Sequence, residues 1–228
     1  MARKGGNKRE KRLAAPKVRK ILRKEKKFTV KSIPGPHPKN ALIPLALVIR
    51  DMLKIANNLK EVKYLLTEGK IYVNNKKRRD YRFPVGLFDV ISIPELKKNY
   101  RIVFDKKGRF TITEEKDSKT KICKIVGKKT IKGNKIVVIT NDGLQIEDKE
   151  NKIKVGDTIK INLEDKKIIQ HLPLQKGSKA YIISGKHSGQ KAKIEQIIAG
   201  TITTPKKVVL KSEDKVFETL ADNVIAIE

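Results

Sequence analysis

The spacing of apolar residues changes at about residue 84, and that change predicts the architecture. Leu45, Val48, Ile49, Met52, Leu53 and Ala56 recur at the three- and four-residue intervals that line one face of an α-helix, with Pro44 suited to its first turn. A second helix is predicted from Asn58, placed to cap it, with Glu61 in the capping-box position. Leu59, Val62, Leu65 and Leu66 form its apolar face, and Gly69 falls where a left-handed C-terminal cap belongs. Residues 71–79 then read as a β-hairpin turning at Asn74 and Asn75. From Pro84 onward short alternating runs predict strands at 87–93, 101–104, 109–113, 121–126, 135–140, 144–147, 153–161, 179–184, 191–197, 206–210 and 224–227. Turn signals such as Asp105-Lys-Lys-Gly108 and Asn141-Asp-Gly143 separate several of them. The fold class expected is α+β and multidomain, with more than one compact β module.

Residues 1–40 carry no such periodicity. They hold fifteen Lys and Arg against two acids, Glu10 and Glu25. A segment with so little apolar surface is expected to stay disordered until it binds a polyanion, so that deleting residues 2–27 leaves the folded modules as stable as before. Pro34-Gly-Pro-His-Pro38 then holds the backbone extended and marks a boundary. The expected domains are a basic tail at 1–40, a helix–helix–hairpin unit at 41–95, a middle β-barrel-like domain at 96–173 and a C-terminal β-barrel at 174–228.

Across the 228 residues the formal net charge is +29. Self-repulsion of that size is relieved on a polyanion, and nucleic acid fits better than an anionic membrane, which calls for a basic amphipathic helix with large apolar anchors. The N-terminus lacks the apolar core of a signal peptide, and no apolar run approaches the ~20 residues of a membrane span. A soluble cytoplasmic protein is expected. One cysteine, Cys123, and three histidines, His37, His171 and His187, exclude a disulfide framework and the common zinc sites, so neither metal nor cofactor is expected. Cys123 reads as a small buried residue. The acidic stretches 141–165 and 211–228 are expected to face solvent or a protein neighbour.

The densest candidate chemistry is a positive strip. Lys60 and Lys63 stand in the first turns of the second helix, where the macrodipole disfavours cations. Lys70, Lys76, Lys77, Arg78 and Arg79 extend the strip along the hairpin, with Asn74 and Asn75 able to hydrogen-bond phosphate or 2′-hydroxyl groups. Gly185-Lys-His-Ser-Gly189 forms a second candidate, a glycine loop between strands that lets the backbone approach RNA. It is no phosphate-binding P-loop, because Gly177 is wrongly spaced and His187 replaces the required Ser or Thr. No nucleophile–base pair or catalytic carboxylate is evident, so no enzyme is expected.

Leu65-Leu-x-x-Gly69-x-Ile71-x-Val73-Asn74-x-Lys76 resembles the S4-type RNA-binding domain, or alpha-L motif, with Asn75 where a glycine is usual. Residues 176–194 resemble a KOW motif of SH3-like barrels, with Ala192 where many members carry glycine. K-R-L-A-A-P-K at 11–17, G-P-H at 35–37, F-D-V-I-S-I at 88–93, F-D-K-K-G-R-F at 104–110 and N-V-I-A-I at 223–227 stand in the order of the S4e family of small-subunit ribosomal proteins, found in archaeal and eukaryotic cytosolic ribosomes. The Lys/Ile/Asn-rich composition leans towards archaeal members.

The resemblance implies a structural ribosomal protein whose partners are small-subunit ribosomal RNA and neighbouring subunit proteins. A KOW-containing transcription or translation factor, or an RNA-modifying enzyme with an S4-type domain, are the rival readings. The expected RNA-contacting set is Arg3, Lys4, Lys8, Arg9, Lys11, Arg12, Lys17, Arg19, Lys20, Arg23 and Lys24 in the tail, and Lys60, Lys63, Lys70, Asn74, Asn75, Lys76, Lys77, Arg78 and Arg79 in the helix–hairpin unit. Gly185, Lys186, His187, Gly189 and Lys191 complete it in the C-terminal loop.

Overall fold

The computed structural model describes residues 7–115, 117, 119–148, 151–212 and 215–227, so Arg3 and Lys4 of the expected set lie outside the described residues. The chain divides into two compact units, 1–103 with 109–118, and 104–108 with 119–228.

In the first unit residues 7–40 of the basic segment are ordered, which corrects the expectation of a disordered tail there. Strand β1 (Arg9–Lys11) pairs antiparallel with β2 (Phe28–Val30), Glu10 opposite Thr29. Arg19 is 1% exposed; its Nε donates to the Leu42 carbonyl at 2.9 Å and its Nη1 to Glu10 Oε2 at 2.9 Å. Arg12 is also buried, donating to the carbonyls of Leu22 and Phe28 and pairing with Glu25 at 3.2 Å. A guanidinium carries five donors in a fixed fork, so each of these arginines ties several distant carbonyls at once. Charge counting registers them as solvated cations and misses that role.

Strand β3 (Leu42–Pro44) pairs with β6 (Pro84–Gly86). Helix α1 (Leu45–Leu47) runs on as a π-helical turn, Val48–Met52, and the chain leaves it where Lys54 adopts a positive φ of 55°. The predicted apolar stripe is real: Leu45, Val48, Ile49 and Ala56 are buried, but it is helical only as far as Met52. Helix α2 (Leu59–Thr67) buries Val62 and Leu66, and Gly69 caps it at φ 73°. The capping box is altered: Asn58 makes no side-chain cap bond, and Glu61 instead accepts from the Asn57 N–H at 2.7 Å.

Five strands form the unit's main sheet: β4 (Tyr72–Val73), β5 (Lys76–Lys77), β7 (Val90–Ile93), β8 (Lys98–Phe104) and β9 (Phe110–Glu114), in the order β5-β4-β7-β8-β9. The hairpin sheet thus runs past residue 95, because β8 pairs along β7 with Val90 opposite Arg101. Among the described residues no helix is long and apolar enough to cross a membrane.

The second unit contains two antiparallel five-stranded sheets. One takes β10 (Thr120–Ile131), β11 (Lys135–Thr140), β12 (Gln145–Glu147), β13 (Thr158–Asn162) and β14 (Ile168–Leu172) in the order β12-β11-β10-β13-β14. Its core holds Cys123, Ile125, Val138, Ile159 and Ile161, with Cys123 buried as expected. The other takes β15 (Lys179–Ile182), β16 (Lys191–Ile198), β17 (Lys207–Lys211), β18 (Val216–Leu220) and β19 (Val224–Ile227) in the order β18-β17-β16-β15-β19, closing its last strand against its first. Strands β14 and β18 escaped prediction. Both are sheet edges whose side chains are half-buried or exposed, and neither I-I-Q-H-L nor V-F-E-T-L alternates apolar with polar residues.

The acidic stretch 141–165 does not simply face outward. Asp142, Asp148 and Asp157 are buried. Asp157 accepts from the Lys154 and Leu174 N–H groups, both at 3.0 Å, and Asp148 from the Ile153 N–H at 3.2 Å. These short carboxylates serve the loop backbone, which an acid count cannot register.

Lys124 joins the two sheets of this unit. It is buried on β10, and its Nζ donates to the carbonyls of Ala221 at 2.6 Å and Asp222 at 2.9 Å. Burial pushes the ammonium down from 10.5 to about 8. Between those pH values the unfolded chain binds more protons than the folded one, so this lysine makes stability rise with pH there. The expected result is that the parent gains on a Lys124→Met variant as pH rises through that window, measured by urea unfolding. A stability difference that stays flat would show that the lysine is not held in a desolvated site.

Candidate nucleic-acid interface

The hairpin turn is built on two asparagines in the left-handed region, Asn74 at φ 50° and Asn75 at φ 61°. Two positive φ values in succession are the type I′ geometry that joins twisted strands by two residues, and asparagine tolerates it better than most side chains. The consequence is a tight tip with Asn75, Lys76, Lys77 and Arg79 exposed. Arg78 is different: its guanidinium lies 4.1 Å from the Phe83 ring centroid, so it packs as much as it projects. Lys77 similarly stands 5.6 Å from the Tyr72 ring centroid.

Asn74 holds the hairpin rather than facing a ligand. Its Nδ2 donates to Asp89 Oδ1 at 2.8 Å, and its Oδ1 accepts from the Val90 N–H at 3.0 Å. Asp89 is fully buried, and its Oδ2 both accepts from the Gly86 N–H at 2.8 Å and lies 2.9 Å from His37 Nε2. The aspartate thereby locks the hairpin, the β6–β7 loop and the Pro-rich segment together. Asn74 was expected among the RNA-contacting groups; its amide is engaged inside the unit instead. Asp89 and His37 were not singled out from sequence, because F-D-V and G-P-H carry no local sign that they meet.

The remaining cations sort by partner. Lys60 and Lys63 are exposed on α2, beside Tyr64, which is also exposed. Lys70 pairs with Glu95 at 3.1 Å, and that hydrogen bond raises its pKa. In the tail, Lys8, Arg9, Lys11, Lys17, Lys20 and Lys24 are exposed. Arg12 and Arg19 are spent on the fold, and burial lowers the Arg19 pKa against the pull of Glu10. Half-buried Arg23 donates to the carbonyls of Arg12, Leu13 and Pro16. Two residues that sequence reasoning passed over, Lys54 and Arg109, join Lys17 and Lys20 around a cleft of about 960 Å³ floored by Ile21, Leu22 and Met52.

In the second unit the glycine loop has the expected backbone. Gly185 adopts φ 97° and Gly189 φ 87°, and the Gly189 N–H donates to the Ile182 carbonyl at 2.8 Å. Ala180 lies directly opposite Ala192, both buried, so the alanine in the usual glycine position packs against another small residue. Lys186 and Lys191 are exposed, whereas the His187 ring stacks on Phe217 at 4.0 Å with the planes 18° apart. That stack turns one ring face inward. Segment 104–108 supports the loop: the Tyr181 hydroxyl accepts from the Phe104 N–H at 3.0 Å and donates to its carbonyl at 3.2 Å.

Comparison with known proteins now bears on this geometry. The model of ribosomal family S4e matches residues 96–168, and that of the RS4NT domain matches residues 4–40. Small ribosomal subunit protein eS4 of Methanocaldococcus jannaschii is 40% identical, the match spanning 100% of this chain and 96% of that protein. Its counterpart in Archaeoglobus fulgidus is 38% identical over 96% of this chain and 92% of that one. The chain belongs to the S4e family of ribosomal proteins. The crystal structure of the S4e protein from Thermoplasma acidophilum superposes with a TM-score of 0.70 at 30% identity, covering 83% of this chain and 96% of that one. The RS4NT match covers the basic segment, which is tied to the helix–hairpin unit through the Arg19 bond to the Leu42 carbonyl.

Proposed function

We infer that this S4e protein is a structural constituent of the small ribosomal subunit, binding and stabilising folded small-subunit ribosomal RNA in the cytoplasm without catalysis. The observation that carries the reading is the rigid basic hairpin: Lys76, Lys77 and Arg79 project from a type I′ tip that Asn74 locks to buried Asp89. Held cations pay little ordering entropy when they meet phosphates, and they position the protein on RNA shape rather than on base sequence. The S4-type unit supplies this surface. The KOW-bearing, SH3-like module adds the 185–191 loop. Glu218, the acidic side chain of the edge strand β18, suits a protein neighbour better than RNA.

Two measurements test the reading. Replacing Lys76, Lys77 and Arg79 with alanine should weaken RNA binding across sequences and reduce the log–log salt slope by about two units, at roughly 0.7–0.9 per phosphate contact. Thermal stability should hardly move, since all three are exposed. The parent chain should also co-sediment with small subunits after a high-salt wash. A folded triple variant with unchanged affinity and slope would show the strip to be merely solvated, and release at moderate salt would favour a dissociable factor.

A further inference from the structure

Between the ordered basic segment and helix α2 lies a second cavity of about 460 Å³, walled by the rings of Phe28 and Tyr81. Lys8, Arg9, Lys26 and Lys63 surround it, and no carboxylate lines it among the described residues. We propose that this cavity receives an unpaired nucleotide of the bound RNA, its base on the Phe28 and Tyr81 rings and its phosphate among the surrounding lysines. This deepens the ribosomal-RNA reading and rests on it.

The pairing of ring and cation carries the inference. Phe28 is 42% exposed although it is the one phenylalanine of the basic segment, so it adds little to the core. Lys63 Nζ stands 5.0 Å from the Tyr81 ring centroid, and Lys27 Nζ 5.6 Å from that of Phe28. The Arg82 guanidinium also lies over the Tyr81 ring, at 5.7 Å. Cations held against aromatic rings complement a group that is planar and anionic together. A nucleotide is both, whereas a paired helix offers only phosphate and sugar, its bases being stacked on one another. An apolar peptide would offer the surrounding lysines no anion, and an acidic one would leave the rings unused. The arrangement also explains why the segment is folded back: Arg12 and Arg19 fix the connection between β1 and β2, whose pairing brings Phe28 to the same cavity as Tyr81.

The test uses the full chain and two RNAs of equal length, one unstructured and one that folds into a paired hairpin. A Phe28→Leu/Tyr81→Leu variant should lose roughly 5- to 100-fold in affinity per stacked base for the unstructured strand. It should bind the paired RNA as the parent does, with the same salt slope, because no phosphate contact is removed. A Phe28→Tyr/Tyr81→Phe variant should keep the parent affinity, which separates stacking from any loss of fold. Independently, ultraviolet crosslinking of the parent to small-subunit ribosomal RNA should label peptides containing Phe28 or Tyr81. Equal losses on both RNAs, no loss on either, or crosslinks confined to other peptides would overturn the proposal while leaving the ribosomal-RNA reading intact. A parent chain that binds neither RNA would overturn that reading, and this proposal with it.

Discussion

Replacing Arg19 with methionine should destabilise the first unit by about 3–5 kcal/mol, the cost typical of breaking a buried ion pair from one side. The arginine side chain is wholly buried, and Glu10, its partner at 2.9 Å, is 7% exposed. Methionine fills much of the volume but leaves the Leu42 carbonyl without its 2.9 Å donor and, among the described residues, Glu10 with the exposed Lys39, 3.0 Å away. That remaining lysine places the expected value towards the lower end of the range. Adding Glu10→Gln should recover part of the loss, because it removes the stranded charge. By the same logic, deleting residues 2–27 should destabilise the first unit and not merely reduce its affinity for RNA. The check is urea unfolding together with protease sensitivity of the segment in free protein. A change below about 1 kcal/mol, the scale of an ordinary surface contact, would show the segment to be loosely attached.

In the second unit, Gly189→Ala should cost about 3 kcal/mol or more, whereas Gly185→Ala should cost only the strain of a positive φ, about 1–2 kcal/mol. Both glycines share that backbone, at 87° and 97°. They differ in what a side chain would meet: nothing lies within 4 Å of a Cβ at Gly185, but one at Gly189 would stand 2.1 Å from the Asp105 carbonyl oxygen. That neighbour is backbone, held in turn by the Gly108 N–H at 2.9 Å, so it cannot swing aside as a side-chain tip would. Denaturant midpoints of the two variants should therefore separate clearly. Equal losses would mean that the turn alone, and not its support from segment 104–108, sets the requirement for glycine.

Local patterns made much of this chain legible. The Asn74-Asn75 turn, the Gly69 cap, strands such as Lys135–Thr140 and Val224–Ile227, and the positive φ of Gly189 all follow from residues adjacent in sequence, whose conformational preferences act without reference to the rest of the fold. The candidate surface was legible to the same depth. Lys60, Lys63, Lys76, Lys77 and Arg79 are exposed where the charge pattern placed them.

Tertiary structure decided which charges are surface and which are framework. Arg12, Arg19, Asn74, Asp89, Lys124 and Asp157 are polar residues that composition assigns to solvent or to a ligand, yet each bonds groups within the folded chain. Their partners lie between 3 and 98 residues away, most of them beyond the reach of any local window. A hydrogen bond to a distant carbonyl leaves no periodic mark in sequence, because its energy depends on where the backbone arrives and not on neighbouring residue types. The amino-acid sequence by itself determined the elements, the turns and the electropositive character. Only the folded chain determined that the basic segment is tied down by its own arginines, since a guanidinium offers the same five donors to a phosphate as to a buried carbonyl, and geometry alone selects between them.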